Sequence, residues 1–265
     1  MADVTRISAA LSLDGLGDQA RAAFDLAAQA GYAGVSIPSN HPEIGPAALS
    51  DTGLRHLKKT LDSQRLAIAA VRIAGPRAGL ADPATIDRMM AHAQAGMQWA
   101  HALGVPVVGL HIGSLREVAT SAAYASILSA ARTLANEADK AGLTLALSAD
   151  DLGNLRGLLD TLAFDHAQAN FDPASALGAG EDPEAAAQRL LGRIGQMTAD
   201  DATGGARGTS QRVELGQGQV PVRELLAMLE STGFHGPVIV DVRHLPNAPH
   251  AAQAAADYLR QLRRD

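Results

Sequence analysis

The 265-residue chain is nearly half apolar and poor in aromatics, so it can build a sizeable core from Ala, Leu, Val and Ile, and its length suits a single large domain of roughly 250 residues. Its net charge of −6, with Lys and Arg scattered apart from the short Arg263-Arg264 pair, carries no basic footprint for nucleic acid, and the absence of cysteine excludes disulfides and thiolate metal sites. No basic region followed by an apolar run opens the chain, and no window reaches the roughly 18 apolar residues of a membrane span, so a cytoplasmic protein is expected.

A short β-type run, a turn and an alanine-rich amphipathic helix alternate along the chain. Residues 6–12 read as the first strand, and Gly17-Asp18 as the opening of a helix that Gly31 ends. A strand at 34–38 is closed by Pro38, and Leu54, Leu57 and Leu61 mark the second helix. Residues 66–73 form an almost wholly apolar third strand, as suits one covered on both faces. Asp82-Pro83 predicts the start of a long helix by its aspartate cap and first-position proline, running to Gly104. Strands follow at 105–111 and 143–148, with helices at about 121–141 and 151–162. Residues 167–171 make the sixth strand, which Pro173 stops just past Asp172. Asp182-Pro183 opens the next helix. A weaker strand spans 193–198, followed by a Gly-rich loop over 199–220. Pro221 opens a helix that Gly233 closes, and a final strand and helix occupy 237–242 and 248–262.

Eight evenly spaced β/α units without a linker predict an α/β fold, a single-domain closed (β/α)8 barrel over 1–265. An open doubly wound sheet is the rival, but no Gly-x-Gly-x-x-Gly turn follows the first strand. In a parallel barrel the carboxyl ends of the strands gather at one mouth. Ser36, Arg72, His111, Ser148, Asp172, Thr198 and Asp241 are placed there, with Arg243 and His244 just beyond.

Four segments in order make the pattern specific. Ala30-Gly31-Tyr32-Ala33-Gly34-Val35, Ala102-Leu103-Gly104-Val105-Pro106-Val107-Val108, Phe171-Asp172-Pro173-Ala174 and Leu215-Gly216-Gln217-Gly218-Gln219-Val220 resemble the turns and strands of the xylose isomerase-like TIM-barrel family of sugar and sugar-phosphate isomerases and epimerases. The resemblance implies a divalent metal at the ends of strands five to eight, held by Glu, Asp, His and Glu, which polarises the substrate's hydroxyl and carbonyl. Residue by residue, Asp172 matches, Ser148 and Thr198 stand at two ligand positions, Asp241 replaces a glutamate, and Ser36 replaces the glutamate that often closes strand two. Two carboxylates and two hydroxyls bring too little charge to grip Mn, Mg or Zn firmly, so the site is expected to be weakened or lost. Asp150, Asp200 and His111 are the side chains that could step in.

Each residue also has a plainer reading. Asp172 fits a turn carboxylate; Asp241 needs a partner, for which Arg243 is placed; His111 fits a hydrogen-bonded rim residue. Arg72 suits a salt bridge in the mouth as well as a substrate contact. His244 and His250 fit a solvated loop, His92 and His101 a helix surface, and the methionines of the third helix its core packing. Gly204-Gly205-Ala206-Arg207-Gly208 resembles a phosphate-cradling loop in composition only; a flap over the mouth is the simpler reading. Two functions follow. The first is an isomerase or epimerase with Asp172 and Asp241 as metal ligands or acid/base groups, His111 as a proton shuttle or substrate contact, and Arg72 and Arg243 as substrate contacts. The second is a metal-independent or non-catalytic relative that binds a small polar molecule such as a sugar or polyol, or serves as a partner subunit. Neither nucleic acid nor membrane is expected as a partner; a homo-oligomer is compatible with both.

Overall fold

A computed structural model describes residues 8–115, 122–204 and 210–263. Arg6 and Ile7 of the first predicted strand, Ser121, Gly205 to Gly208 of the Gly-rich loop and Arg264 lie outside the described residues.

Eight parallel strands close into a barrel. In chain order they are β1 (Ala9–Ser12), β2 (Gly34–Pro38), β3 (Ala67–Ile73), β4 (Val107–His111), β5 (Thr144–Ser148), β6 (Ala167–Phe171), β7 (Ile194–Ala199) and β10 (Val238–Val240), the last pairing with both β7 and β1 to complete the ring. Helices α1 (Ala20–Ala30), α2 (Asp51–Ser63), α3 (Ile86–Leu103), α4 (Ala122–Ala141), α5 (Leu152–Leu162), α7 (Pro183–Leu190), α8 (Val222–Ser231) and α9 (Ala248–Leu262) surround it. The predicted (β/α)8 barrel is therefore the observed architecture.

The main core lies between strands and helices, where Leu134, Leu155, Leu158, Leu159 and Phe171 are fully buried. Each such side chain contributes about 1.5–3 kcal/mol by leaving water. A second, smaller cluster joins Ala10, Ala70, Val107, Ala146 and Ile239 from five strands. Small residues there and Gly109 on β4 leave open space above them at the mouth.

The element boundaries differ from expectation where an aspartate found other work. Asp82-Pro83 opens a turn, Asp82 accepting from the Ala84 N–H at 2.9 Å, and α3 begins only at Ile86. Asp18 does not cap α1; Gln19 takes that position and the Glu43 carboxylate accepts the Ala20 N–H at 2.9 Å. Asp151 stands before α5, but its carboxylate turns away to accept the Leu115 N–H at 2.9 Å. Conversely, Asp172-Pro173 ends β6 and also begins a short unpredicted helix, α6 (Pro173–Gly178). The stretch predicted as a plain loop contains a two-stranded antiparallel hairpin, β8 (Asp201–Thr203) with β9 (Gln211–Val213).

Candidate functional site at the carboxyl mouth

The barrel register brings the rim residues together. Parallel pairing sets His111 of β4 beside Ser148 of β5, and Asn170 of β6 beside Gln196 of β7. A cavity of about 860 Å3 opens over these strand ends, with Arg72, His111, Ser148, Asp150, Asp172 and Thr198 among its lining. Arg243 and His244 reach its edge, whereas Asp241 lies behind Arg243 and does not line it. His111, Asp172, Arg72, Ser148, Thr198 and Arg243 thus share one mouth, as the strand-end rule predicts. His92, His101 and His250 are exposed on helices, and His244 is exposed at the rim. Met89 and Met97 of α3 are buried in the core.

His111 is the histidine on the β4–β5 side of the mouth. Its Nδ1 lies 3.3 Å from Ser148 Oγ, and its Nε2, with no hydrogen-bond partner among the described residues, faces Asp150 Oδ1 at 3.6 Å. Burial pushes the imidazole below its usual pKa, and the Arg77 charge works the same way against the opposing Asp150 carboxylate. The ring is therefore uncharged at neutral pH, the form that can accept a proton.

The carboxylates are committed to other groups. Asp172 accepts from the Ser175 N–H and the Ser175 hydroxyl, each at 2.7 Å, which caps α6. Its two oxygens also face the two terminal nitrogens of Arg212 at 3.3 and 3.4 Å. Asp241 pairs with the Arg243 guanidinium at 2.9 Å and accepts the Arg243 N–H at 3.1 Å. Burial raises the Asp241 pKa, and Arg243 offsets this only in part. Thr198 donates to Asn170 Oδ1 at 3.1 Å.

Arg72 is bound in a fork by Asp14, at 2.5 and 2.6 Å. Burial alone would raise the Asp14 pKa, but the hydrogen bonds and charge of Arg72, helped by Arg243, hold it below the usual carboxylate range. The loop carrying Asp14 lies close to the last strand end: Gly15 has φ +80°, and a Cβ there would sit 2.5 Å from the Arg243 Cα.

Sequence reasoning did not single out Asp14 or Arg212. Arg212 reaches the mouth on β9, and the base of its hairpin is fixed by Asp201. That buried carboxylate accepts four backbone N–H groups, from Ala202 (2.8 Å), Gly216 (3.0 Å), Gly218 (2.8 Å) and Val220 (3.0 Å). A Cβ at Gly218 would collide with the Asp201 carboxylate. The Gly-Gln-Gly segment that helped mark the resemblance is thus a cradle for a buried aspartate.

The four positions implied for a divalent metal do not fit one. Ser148 and Thr198 supply neutral oxygens engaged with His111 and Asn170, and both Asp172 oxygens are taken by Ser175 and Arg212. Hard cations bind through anionic oxygens free to coordinate. Among the described residues, no group of three or more His, Asp or Glu side chains is arranged to hold an ion. No described helix is long and apolar enough to cross a membrane.

Comparison with known proteins follows the same lines. Residues 24–262 match the family model of the xylose isomerase-like TIM barrel. No curated protein sequence matches the chain. Among solved structures, a xylose isomerase domain protein from Planctomyces limnophilus superposes with a TM-score of 0.83 at 21% identity, covering 98% of this chain and 96% of that one. A xylose isomerase-like TIM barrel protein from Mycobacterium smegmatis in complex with magnesium gives 0.78 at 16% identity, over 99% and 98%. A 3-keto-D-glucoside 4-epimerase from E. coli gives 0.75 at 14% identity, over 98% and 100%. At such identities the superpositions establish the fold, and the family model establishes kinship. The chain belongs to the xylose isomerase-like TIM-barrel family.

Proposed function

We propose that this chain is a metal-independent isomerase or epimerase of its family, acting on a small polyhydroxylated carbonyl compound of the sugar class. The observation that carries the reading is the His111 ring, kept neutral by burial on the wall of the mouth, with Ser148 at one nitrogen and Asp150 facing the other. With Nε2 turned to Asp150, Nδ1 takes a proton from a carbon next to a carbonyl once the substrate displaces its Ser148 contact, and the Asp150 carboxylate stabilises the imidazolium that results. The same ring returns the proton to the neighbouring carbon, with the hydroxyl proton passing between the two enediolate oxygens, which completes an isomerisation; once the enediolate has turned over in the mouth, return to the opposite face of the same carbon completes an epimerisation.

The charge pattern favours an uncharged polyol over an anion. Each described arginine lining the cavity faces a carboxylate: Arg72 with Asp14, Arg77 with Asp150, Arg212 with Asp172 and Arg243 with Asp241. Paired charges offer hydroxyl groups both donors and acceptors, with no surplus positive charge to draw an anion. In this role Arg72 and Arg243 contact substrate, as does Asp172, while Asp241 holds Arg243 in place.

The test is exchange of substrate carbon-bound hydrogen with D2O, followed by proton NMR across a panel of aldoses and ketoses in the presence of EDTA. The expected result is exchange with at least one sugar, undiminished by the chelator and lost in His111→Gln. Exchange that requires added Mn2+ or Mg2+ would overturn the metal-independent reading. Stabilisation by a polyol with no exchange would make the chain a binding protein, the second reading of its sequence.

A further inference from the structure

The metal positions do not fit an ion, yet one of them, Asp172, is joined by a carboxylate from outside the four, Asp200. Asp172 ends β6 and Asp200 follows β7, and the two carboxylates converge on one guanidinium. One terminal nitrogen of Arg212 faces Asp172 Oδ1 at 3.3 Å and also contacts Asp200 Oδ2. The other faces Asp172 Oδ2 at 3.4 Å and donates to Ser175 Oγ at 2.8 Å. Asp200 is buried, its second oxygen has no hydrogen-bond partner among the described residues, and Arg212 is the cation set against it. A buried carboxylate is costly unless a charge or several donors meet it. Removing the guanidinium would leave two facing carboxylates in a largely buried setting.

We propose that Arg212 is a built-in cation: its guanidinium takes up the carboxylates that would otherwise bind a divalent ion, and it excludes such an ion from the mouth for as long as the side chain is there. A planar guanidinium suits the place, since it meets a carboxylate with two parallel N–H donors and stays charged at every accessible pH. The hairpin that delivers it is fixed at its base by the four N–H groups gathered on Asp201, so the cation is held by the fold and does not depend on ion supply. The inference goes beyond the proposed reaction and stands whether or not His111 moves a proton.

The test is a titration of the full chain with Mn2+, read by loss of the free-ion EPR signal and by the thermal unfolding midpoint. For the wild-type protein the expected result is no uptake and no change in the midpoint. Arg212→Gln is expected to take up Mn2+ and to be raised in midpoint by it, because the ion binds only the folded state. Combining that change with Asp172→Asn is expected to abolish the uptake. Wild-type uptake that Asp172→Asn removes would overturn the proposal, as would a folded Arg212→Gln protein that takes up no ion. The wild-type titration needs no variant, so the proposal is exposed to refutation even where Arg212→Gln fails to fold; Arg212→Lys, which keeps a charge, then serves as the folded control expected to exclude the ion.

Discussion

The two ends of the barrel each carry a cavity, and the larger of the two lies opposite the candidate site. At the amino end about 1040 Å3 is lined among the described residues by Leu61, Leu66, Leu103, Val105, Phe234 and Pro237, with a few charged groups at its margin. The carboxyl mouth is smaller, about 860 Å3, and holds His111, four arginines and three aspartates. Strand direction accounts for the contrast. Side chains at the carboxyl ends of parallel strands are followed by loops that vary without disturbing the barrel, whereas residues at the amino ends serve its stability. Volume reports where atoms are missing; convergent polar groups report where a molecule can be recognised.

That contrast sharpens into expected outcomes. The largest effect falls on the reaction: His111→Gln should lower hydrogen exchange about 10²–10⁴-fold, as for loss of a general base, with a circular dichroism spectrum and midpoint close to wild type. The matching change at the other end, Leu103→Ala, should cost about 2–3 kcal/mol in urea unfolding, the low side for a core leucine because it already borders a cavity, and leave exchange untouched. Asp201→Asn turns an N–H toward the backbone donors it now gathers and should cost about 2–3 kcal/mol in the same assay. An exchange defect from Leu103→Ala, or none from His111→Gln, would erase the distinction between the two ends.

The smallest effect is on acidification. His111 and His41 both have folded pKa values lowered, by burial first, so at these groups the unfolded chain binds protons more readily than the folded one. Their contribution to stability is complete above about pH 6.5, the unfolded value, and is lost as the pH falls through the lower folded values. Midpoints measured from pH 8 to 5 should fall across that window, and His111→Gln should flatten part of the slope. A midpoint that rises on acidification through this range would contradict the buried, neutral placement.

The three Asp-Pro pairs explain how far the sequence could be read. Each offers an N-cap aspartate and a first-position proline, and the signal holds at Asp182, whose carboxylate accepts the Ala185 N–H at 3.1 Å. At Asp82 the same pair makes a turn, because the segment before α3 folds instead into a short 3-10 helix, Gly79–Ala81, and a turn against the end of β4. At Asp172 it does two jobs, ending a strand and capping α6. Short apolar runs closed by Gly or Pro made the eight barrel strands legible, since run length and punctuation are local properties. Arg212 was not, because three-residue strands in a Gly-rich segment carry no periodicity, and a loop residue enters the mouth only when the chain returns on itself. Asp14 was missed for a similar reason: its partner, Arg72, lies 58 positions away.

The negative charge of the mouth is already met from within by its arginines. Crystals soaked in Mn2+ and measured at the manganese edge test this most directly. The expected map has no anomalous peak among Ser148, Asp172, Thr198 and Asp241, with the Arg212 guanidinium between Asp172 and Asp200. A peak coordinated by Asp172 and Asp241, with Arg212 displaced, would contradict it.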